Sequence, residues 1–117
     1  MLKLYGLPSC DTVRKARTWL KEQGHEHDFH AFAKTPDLED KAAAWLNDLG
    51  TNLLVNPKSR NFKALSEAEQ AELLAAKAGS AAKLAQTPQL MKRPILETPT
   101  ATLAGFDAEK WQRVLEK

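Results

Sequence analysis

The sequence predicts an α/β fold with a four-stranded mixed sheet, in which a helical block separates a β-α-β unit from a β-β-α unit. Three observations predict it: alternating apolar and polar residues near both ends of the chain, a helical pattern directly after the first such stretch, and an alanine-rich middle with helix caps. Because a chain of 117 residues has material for one hydrophobic core, we expect a single domain, 1–117, with a helical insertion at about 36–91.

The first part of the chain predicts the β-α-β unit. The segment LKLYG alternates apolar and polar residues, which predicts a short strand that Gly6, Pro8 and Ser9 then break. A helical pattern then runs from about Asp11 to Gln23, and HDFHAFA, residues 27–33, predicts a second strand. Strands joined through a helix pair in parallel by a right-handed crossover. The helix residues predicted to be buried are Val13, Ala16 and Leu20.

The middle of the chain predicts helices. Thr35 is predicted to cap the first of them, with Pro36 in the first helical position. Ser66 and Glu69 form an S-x-x-E capping box for a helix that reaches about Ala78. The segment NPKSRNFK between them is predicted to be a polar loop, and GSAAKLAQ a short helix. The stripe of the first helix that is predicted to be buried comprises Leu38, Ala42, Trp45 and Leu49.

The last part of the chain predicts a hairpin and a helix. RPILET and ATLAG are typical of two short strands joined by a turn near residues 98–100. Asp107 is predicted to cap a final helix that buries Trp111, Val114 and Leu115. Without the helical block, the order β-α-β and then β-β-α is the thioredoxin-like arrangement, whose chemistry lies where the first strand meets the first helix.

Composition and charge exclude several classes of protein. No stretch approaches the roughly 20 consecutive apolar residues that span a bilayer, so we expect no membrane role. The formal net charge is +2 with alternating acids and bases, so direct nucleic-acid binding is not expected. The start MLKLYG does not have the pattern of a secretory signal, and we expect a cytoplasmic location. His25 and His27 share a strand face that excludes His30, so no metal site is expected.

The only cysteine, Cys10, lies between the first strand and the first helix, where it has no partner for an intramolecular disulfide. If it caps the helix, the unpaired amides of the first turn point toward its sulfur and the helix dipole favours the thiolate, which is the reactive form. Arg14, one turn on, is the candidate cation, whereas Asp11 opposes the effect. The position predicts a nucleophile rather than a buried apolar side chain.

Three segments carry a resemblance to a known family: LYGLPSCDTVRKARTWL, NPKSRNFKAL and LMKRPIL. In this order they resemble the ArsC family, which includes glutaredoxin-linked arsenate reductases, Spx transcriptional regulators and YffB-like proteins, and the first segment is particularly similar to the YffB branch. The resemblance implies a thioredoxin-like fold with a helical insertion between the second and third strands. It also implies two active-site arginines, Arg60 and Arg93, and a cis Pro94 beside the thiol.

Two departures from the family narrow the function that the resemblance implies. Spx-type switches commonly carry C-x-x-C, but Val13 stands three residues after Cys10. Arsenate reductases of the family use a further arginine near the hairpin, where TPTATLAGF has none. The next arginine, Arg113, lies in the final helix and is expected to be exposed.

We therefore expect a glutathione-dependent thiol reductase, with Cys10, Arg60 and Arg93 as catalytic residues and Arg14 and Pro94 as substrate-binding residues. No bound cofactor is expected. Glutathione is the expected cosubstrate because the chain has no second thiol, and glutaredoxin is a further candidate partner. Two alternatives stay open: an arsenate reductase coupled to glutathione and glutaredoxin, and an Spx-like regulator that binds RNA polymerase. We expect a monomer.

Overall fold

The computed structural model describes residues 2–76 and 79–116. The chain divides into two compact units. The sheet unit comprises Met1–Thr35 and Arg93–Lys117, and the helical unit comprises the continuous segment Pro36–Lys92. The predicted insertion falls in the helical unit, and the single-domain organisation stays a prediction. In chain order, the described elements are β1 (Leu2–Gly6), α1 (Asp11–Glu22), β2 (His27–Ala31), α2 (Leu38–Leu49), α3 (Thr51–Leu54), α4 (Arg60–Lys63), α5 (Glu67–Leu74), α6 (Ser80–Gln86), β3 (Ile95–Glu97), β4 (Thr102–Ala104) and α7 (Ala108–Leu115).

The four strands form one mixed sheet in the order β2-β1-β3-β4. β1 pairs in parallel with β2, so that Leu4 lies beside Phe29. β1 pairs antiparallel with β3, where Tyr5 lies opposite Ile95, and β3 pairs antiparallel with β4. The predicted α/β fold with a four-stranded mixed sheet is confirmed.

The core of the sheet unit is formed by one face of the sheet with α1 and α7. Trp111 is fully buried, and its Nε1 donates a hydrogen bond of 3.1 Å to the carbonyl of Gly105. The rings of Trp19 and Phe106 pack against Trp111, with centroids 6.2 and 5.0 Å away. Val114 and Leu115, predicted to be buried, are only partly buried. The fully or nearly buried members of this core are Leu2, Leu4, Ala16, Leu20, Leu96, Leu103 and Trp111.

The prediction that Thr35 caps α2 is wrong. Its Oγ1 instead donates to the carbonyl of Ala31 at 2.8 Å, which closes the turn after β2. That strand is therefore shorter than predicted, and a 3₁₀ turn, Phe32–Lys34, follows it. The residue at the N-cap of α2 is Asp37, and Pro36 lies outside the helix. A hydroxyl that donates to the carbonyl four residues back is directed away from the amides it was predicted to cap.

The helical unit contains α2 to α6. The capping box of α5 is present as predicted, because Ser66 Oγ accepts from the amide of Glu69 and the Glu69 carboxylate accepts from the amide of Ser66. α5 ends at Leu74, earlier than predicted, and the predicted end at Ala78 lies outside the described residues. Leu49 of α2 is partly buried. The largest fully buried side chains of the unit are Trp45, Leu54, Leu73, Leu84, Leu90 and Met91.

A short helix, α4, replaces part of the predicted polar loop. Ser59 is its N-cap, and Ser59 Oγ accepts a hydrogen bond of 3.0 Å from the amide of Phe62. Phe62 is buried, so one apolar residue anchors an otherwise polar segment.

None of the helices in the described residues is both long enough and apolar enough to cross a membrane.

Candidate functional site

The sheet brings two segments that are distant in sequence to the same end of its two central strands, β1 and β3. Since β1 and β3 are antiparallel and Tyr5 lies opposite Ile95, the end of β1 meets the beginning of β3. The loop that carries Cys10 follows β1, and Arg93 and Pro94 directly precede β3. Topology therefore places the cysteine loop and the Arg93-Pro94 pair together, although 83 positions separate residues 10 and 93.

Cys10 occupies the N-cap of α1, as the sequence predicted. Its amide donates to the carbonyl of Leu7 at 3.0 Å and closes the turn after β1, and its carbonyl accepts the first helical hydrogen bond, from Arg14, at 3.0 Å. Its φ and ψ of −78° and 126° are extended, which is typical of a residue that opens a helix. The cysteine is free and only partly buried.

The thiol of Cys10 has a lowered pKa. Burial raises the pKa, but the amide of Val13, the Arg93 side chain and the amide of Thr12 together outweigh it, so that the pKa lies below its ordinary value. The sulfur makes no N-cap hydrogen bond of ordinary geometry. The amides of Val13 and Thr12 nevertheless lower the pKa of the thiol, as expected for an anion at the positive end of a helix. The site favours a thiolate.

Arg93 is the cation of this site and Pro94 fixes the segment that carries it. The Arg93 side chain hydrogen-bonds to Cys10 and adds a Coulombic effect that lowers the pKa of the thiol. The Arg93-Pro94 peptide bond is cis, as the resemblance implied, and Pro94 is buried. The Pro94 carbonyl accepts from the amide of Gly105 at 2.8 Å, which ties the segment to the residue after β4.

Gly6, which the sequence predicted only as a residue that breaks the first strand, is the last residue of β1 and lies next to the first turn of α1. A Cβ on Gly6 would lie 2.7 Å from Cγ2 of Val13, a distance at which one of the two must move. Val13 is fully buried, and its amide is one of the two that act on Cys10. The missing side chain at Gly6 therefore lets the first turn of α1 approach the end of β1. A glycine between an apolar strand and a helix start is the signal that could have indicated this.

Arg14 and Arg60 are the two other arginines that the sequence predicted for the site. Arg14 pairs with Asp11, and both side chains are exposed, so Arg93 rather than Arg14 is the cation that lowers the pKa of Cys10. Arg60 is the exposed first residue of α4 in the helical unit. Its catalytic role, like the substrate-binding role of Arg14, stays a prediction.

Two of the three histidines stack on aromatic rings. His30 stacks on Tyr5 with ring centroids 5.0 Å apart, and His25 stacks on Trp19 at 6.3 Å. Within residues 2–76 and 79–116, no three histidine, cysteine or acidic side chains form a group that could hold a metal ion.

Comparison with known proteins gives consistent matches along the whole chain. The sequence model of the ArsC family matches residues 5–114. A protein of Haemophilus influenzae described as uncharacterized is 34% identical over 113 residues, which cover 96% of each chain. The global transcriptional regulator Spx of Enterococcus faecalis is 30% identical over 125 residues, which cover 100% of this chain and 88% of Spx. The solved structure of the YFFB (PA3664) protein superposes with a TM-score of 0.86 at 32% identity, covering 98% of this chain and 99% of that one.

Proposed function

Because the chain belongs to the ArsC family, on its YffB-like branch, we propose that it is a glutathione-dependent thiol reductase that uses Cys10 as its only nucleophile. The observation that carries the proposal is the position of this thiol at the N-cap of α1, where two amides and Arg93 lower its pKa. A thiolate is the form that attacks a sulfur centre, and the cysteine is only partly buried.

The proposed reaction has two thiol-disulfide exchanges. The Cys10 thiolate attacks the glutathione sulfur of a mixed disulfide between glutathione and a substrate thiol. A new disulfide forms between Cys10 and glutathione, and the substrate thiolate leaves and takes up a proton. A second glutathione thiolate then attacks the glutathione sulfur of this intermediate. Glutathione disulfide leaves and the Cys10 thiolate is restored. The second glutathione is therefore the reductant, because its thiol is oxidised to the disulfide while the substrate sulfur is reduced to a thiol.

An external thiol is needed because the sequence contains one cysteine. Glutathione also matches the charge of the site. It carries two carboxylates, and a guanidinium offers a fork of donors that suits a carboxylate. Arg93 lies beside the thiol and supports binding near the sulfur. Arg60 and Arg14 are the further arginines that we propose for the remaining carboxylate.

The test measures the reduction of a glutathionylated peptide by glutathione. The glutathione disulfide that forms is detected through glutathione reductase, which consumes NADPH to reduce it. We expect turnover by the native chain and a glutathione adduct on Cys10 in its intact mass. Cys10→Ser should show neither, whereas Arg113→Gln, an exposed arginine of α7, should match the native chain. Turnover by the Cys10→Ser variant at the native rate would rule out the proposed reaction.

Arsenate reduction is the alternative that shares this nucleophile. In that reaction Cys10 would attack arsenic, and glutathione with glutaredoxin would complete the cycle. The hairpin Ile95–Ala104 contains no arginine, so it offers no third cation for the oxyanion. We therefore expect no arsenate-dependent turnover when glutaredoxin is added to the same assay. Arsenate turnover faster than peptide reduction would favour this alternative.

Polymerase binding is the second candidate, favoured by the similarity to Spx across the whole chain. It requires no turnover, so Cys10→Ser should leave it intact. Co-purification of polymerase subunits with both the native chain and this variant, without peptide reduction by either, would replace the reductase proposal with a regulatory one.

A further inference from the structure

A basic groove runs along α1 beside the edge strand β2. Its volume is about 320 Å³. We call it the α1 groove, and the residues that line it are Arg14, Arg17, Thr18, Lys21 and His27.

The α1 groove presents positive charge that the protein does not neutralise. Arg14, Arg17 and Lys21 fall at helical spacing on one exposed face of α1. Arg14 pairs with Asp11, but within residues 2–76 and 79–116 neither Arg17 nor Lys21 has an ion-pair partner. Like charges one turn apart repel each other, so an anion bound in this groove would relieve an existing repulsion.

Arg17 is already held in position for such an anion. Its guanidinium carbon lies 4.5 Å from the centroid of the Phe29 ring, which is a cation-π contact with the edge strand β2. The contact already restricts the rotamers of Arg17, so less side-chain entropy is lost when an anion binds. The in-plane donors of the guanidinium remain available to a carboxylate.

The cations of the α1 groove are spaced along the helix that Cys10 caps: Arg14 lies about one turn from Cys10, and Lys21 about three turns. At about 1.5 Å per residue, Arg17 lies about 10 Å and Lys21 about 16 Å from Cys10 along the helix. An extended peptide covers about 3.3 Å per residue, so residues three to five positions from a bound cysteine would reach these cations. Glutathione has one residue on each side of its cysteine and is too short to reach Lys21.

We propose that the α1 groove binds an acidic segment of a polypeptide substrate, with carboxylates three to five residues from the cysteine whose disulfide is reduced. This inference rests on the proposed function, since it names the substrate class of the same thiol. The substrates are then glutathionylated proteins whose modified cysteine lies close in sequence to aspartate or glutamate, and the α1 groove selects among them.

The experiment compares two glutathionylated peptides that differ only at positions three to five residues from the cysteine, glutamate in one and glutamine in the other. At low ionic strength we expect kcat/KM for the acidic peptide to be higher by roughly two- to fivefold per charge. Lys21→Gln should lower the ratio of kcat/KM between the two peptides by the factor expected for one charge. Added salt should lower this ratio as well. Arg17→Gln should act in the same direction, although it also removes the contact with Phe29.

The matched control is Arg113→Gln, which removes an exposed arginine outside the α1 groove and should keep the preference. Equal reduction of both peptides by the native chain would overturn the inference while the proposed function stands. If neither peptide is reduced, the proposed function fails. Binding of the labelled acidic and neutral peptides to the Cys10→Ser variant, measured by fluorescence anisotropy, then tests the inference by itself. Equal binding of the two peptides overturns it. Tighter binding of the acidic peptide, reduced by a further Lys21→Gln substitution, supports it.

Discussion

The sheet unit and the helical unit are built in different ways. The sheet unit joins the first and last parts of the chain, and its site combines Cys10 with Arg93 across the β1-β3 pair. The helical unit is one continuous segment whose helix starts are fixed by near neighbours, such as Ser59 with Phe62. We infer that substitutions of buried residues cost stability in both units, whereas substitutions beside Cys10 in the sheet unit also change the chemistry of the thiol.

The largest effect should come from truncating the central tryptophan of either unit. Trp111→Ala and Trp45→Ala each remove a fully buried side chain, and each should lower the free energy of unfolding by about 3–5 kcal/mol. Denaturant unfolding followed by circular dichroism measures this. A decrease in the free energy of unfolding of less than about 1 kcal/mol for either variant would show that the surrounding side chains collapse to fill the cavity.

The next effect tests the contact between β1 and α1. Gly6→Ala should cost about 1–3 kcal/mol of stability through overpacking against Val13. It should also raise the pKa of the Cys10 thiol, because relief of the clash displaces Val13, whose amide acts on the sulfur. The pH dependence of alkylation by iodoacetamide measures this pKa.

The control for Gly6→Ala is a second substitution that removes the clash and keeps the amide. Val13→Ala deletes Cγ2, so the double variant Gly6→Ala with Val13→Ala should return the thiol pKa toward that of the native chain. A pKa that stays raised in the double variant would contradict the role of this contact.

The third effect concerns charge beside the thiol. Because Arg93 lowers the pKa of Cys10, Arg93→Gln should move the midpoint of the alkylation profile to higher pH. At neutral pH the rate should fall roughly three- to tenfold, since one pKa unit is a factor of ten in the thiolate ratio. Arg14→Gln should move the midpoint much less, because Arg14 pairs with Asp11. Equal shifts of the alkylation midpoint in Arg93→Gln and Arg14→Gln would contradict the conclusion that Arg93, rather than Arg14, lowers the pKa of the thiol.

The smallest effect is an acid-dependent stability of the helical unit. Hydrogen bonding to Lys83, and to Ser66, lowers the pKa of Glu69 to about 2. A carboxylate whose folded pKa is lowered stabilises the fold above its unfolded pKa, about 4.3, and this contribution is lost as pH falls toward 2. The urea midpoint of the native chain should therefore decrease over this range. Glu69→Gln should flatten that part of the decrease, whereas Glu67→Gln, in the same exposed turn, should not.

The elements that depend on neighbouring residues were predictable from the sequence. The alternation of LKLYG predicted β1, and the S-x-x-E pair predicted the capping box of α5. Thr35 was misinterpreted because its hydroxyl has two local uses, capping a helix or bonding to the carbonyl four residues back, and sequence does not decide between them. α4 was missed because the polar residues around Phe62 are also typical of a loop.

The site was predictable only in part. Cys10 at a helix start followed from local pattern, since strand, turn and helix adjoin in the chain. The approach of Arg93 to this thiol depends on strand pairing over a long separation, and it was expected from family resemblance rather than from local pattern. The close approach of Val13 to Gly6 depends on how α1 packs against the end of β1, and the glycine between the strand and the helix is its only signal in the sequence.

Two of the groups that make Cys10 acidic belong to the main chain, the amides at positions 12 and 13. Replacing a side chain cannot remove a peptide N–H unless proline is introduced. Thr12 is exposed, so its side chain can be replaced while the two amides continue to act on the sulfur. The acidity of this thiol therefore tolerates side-chain changes in the first turn of α1 better than changes of the main chain.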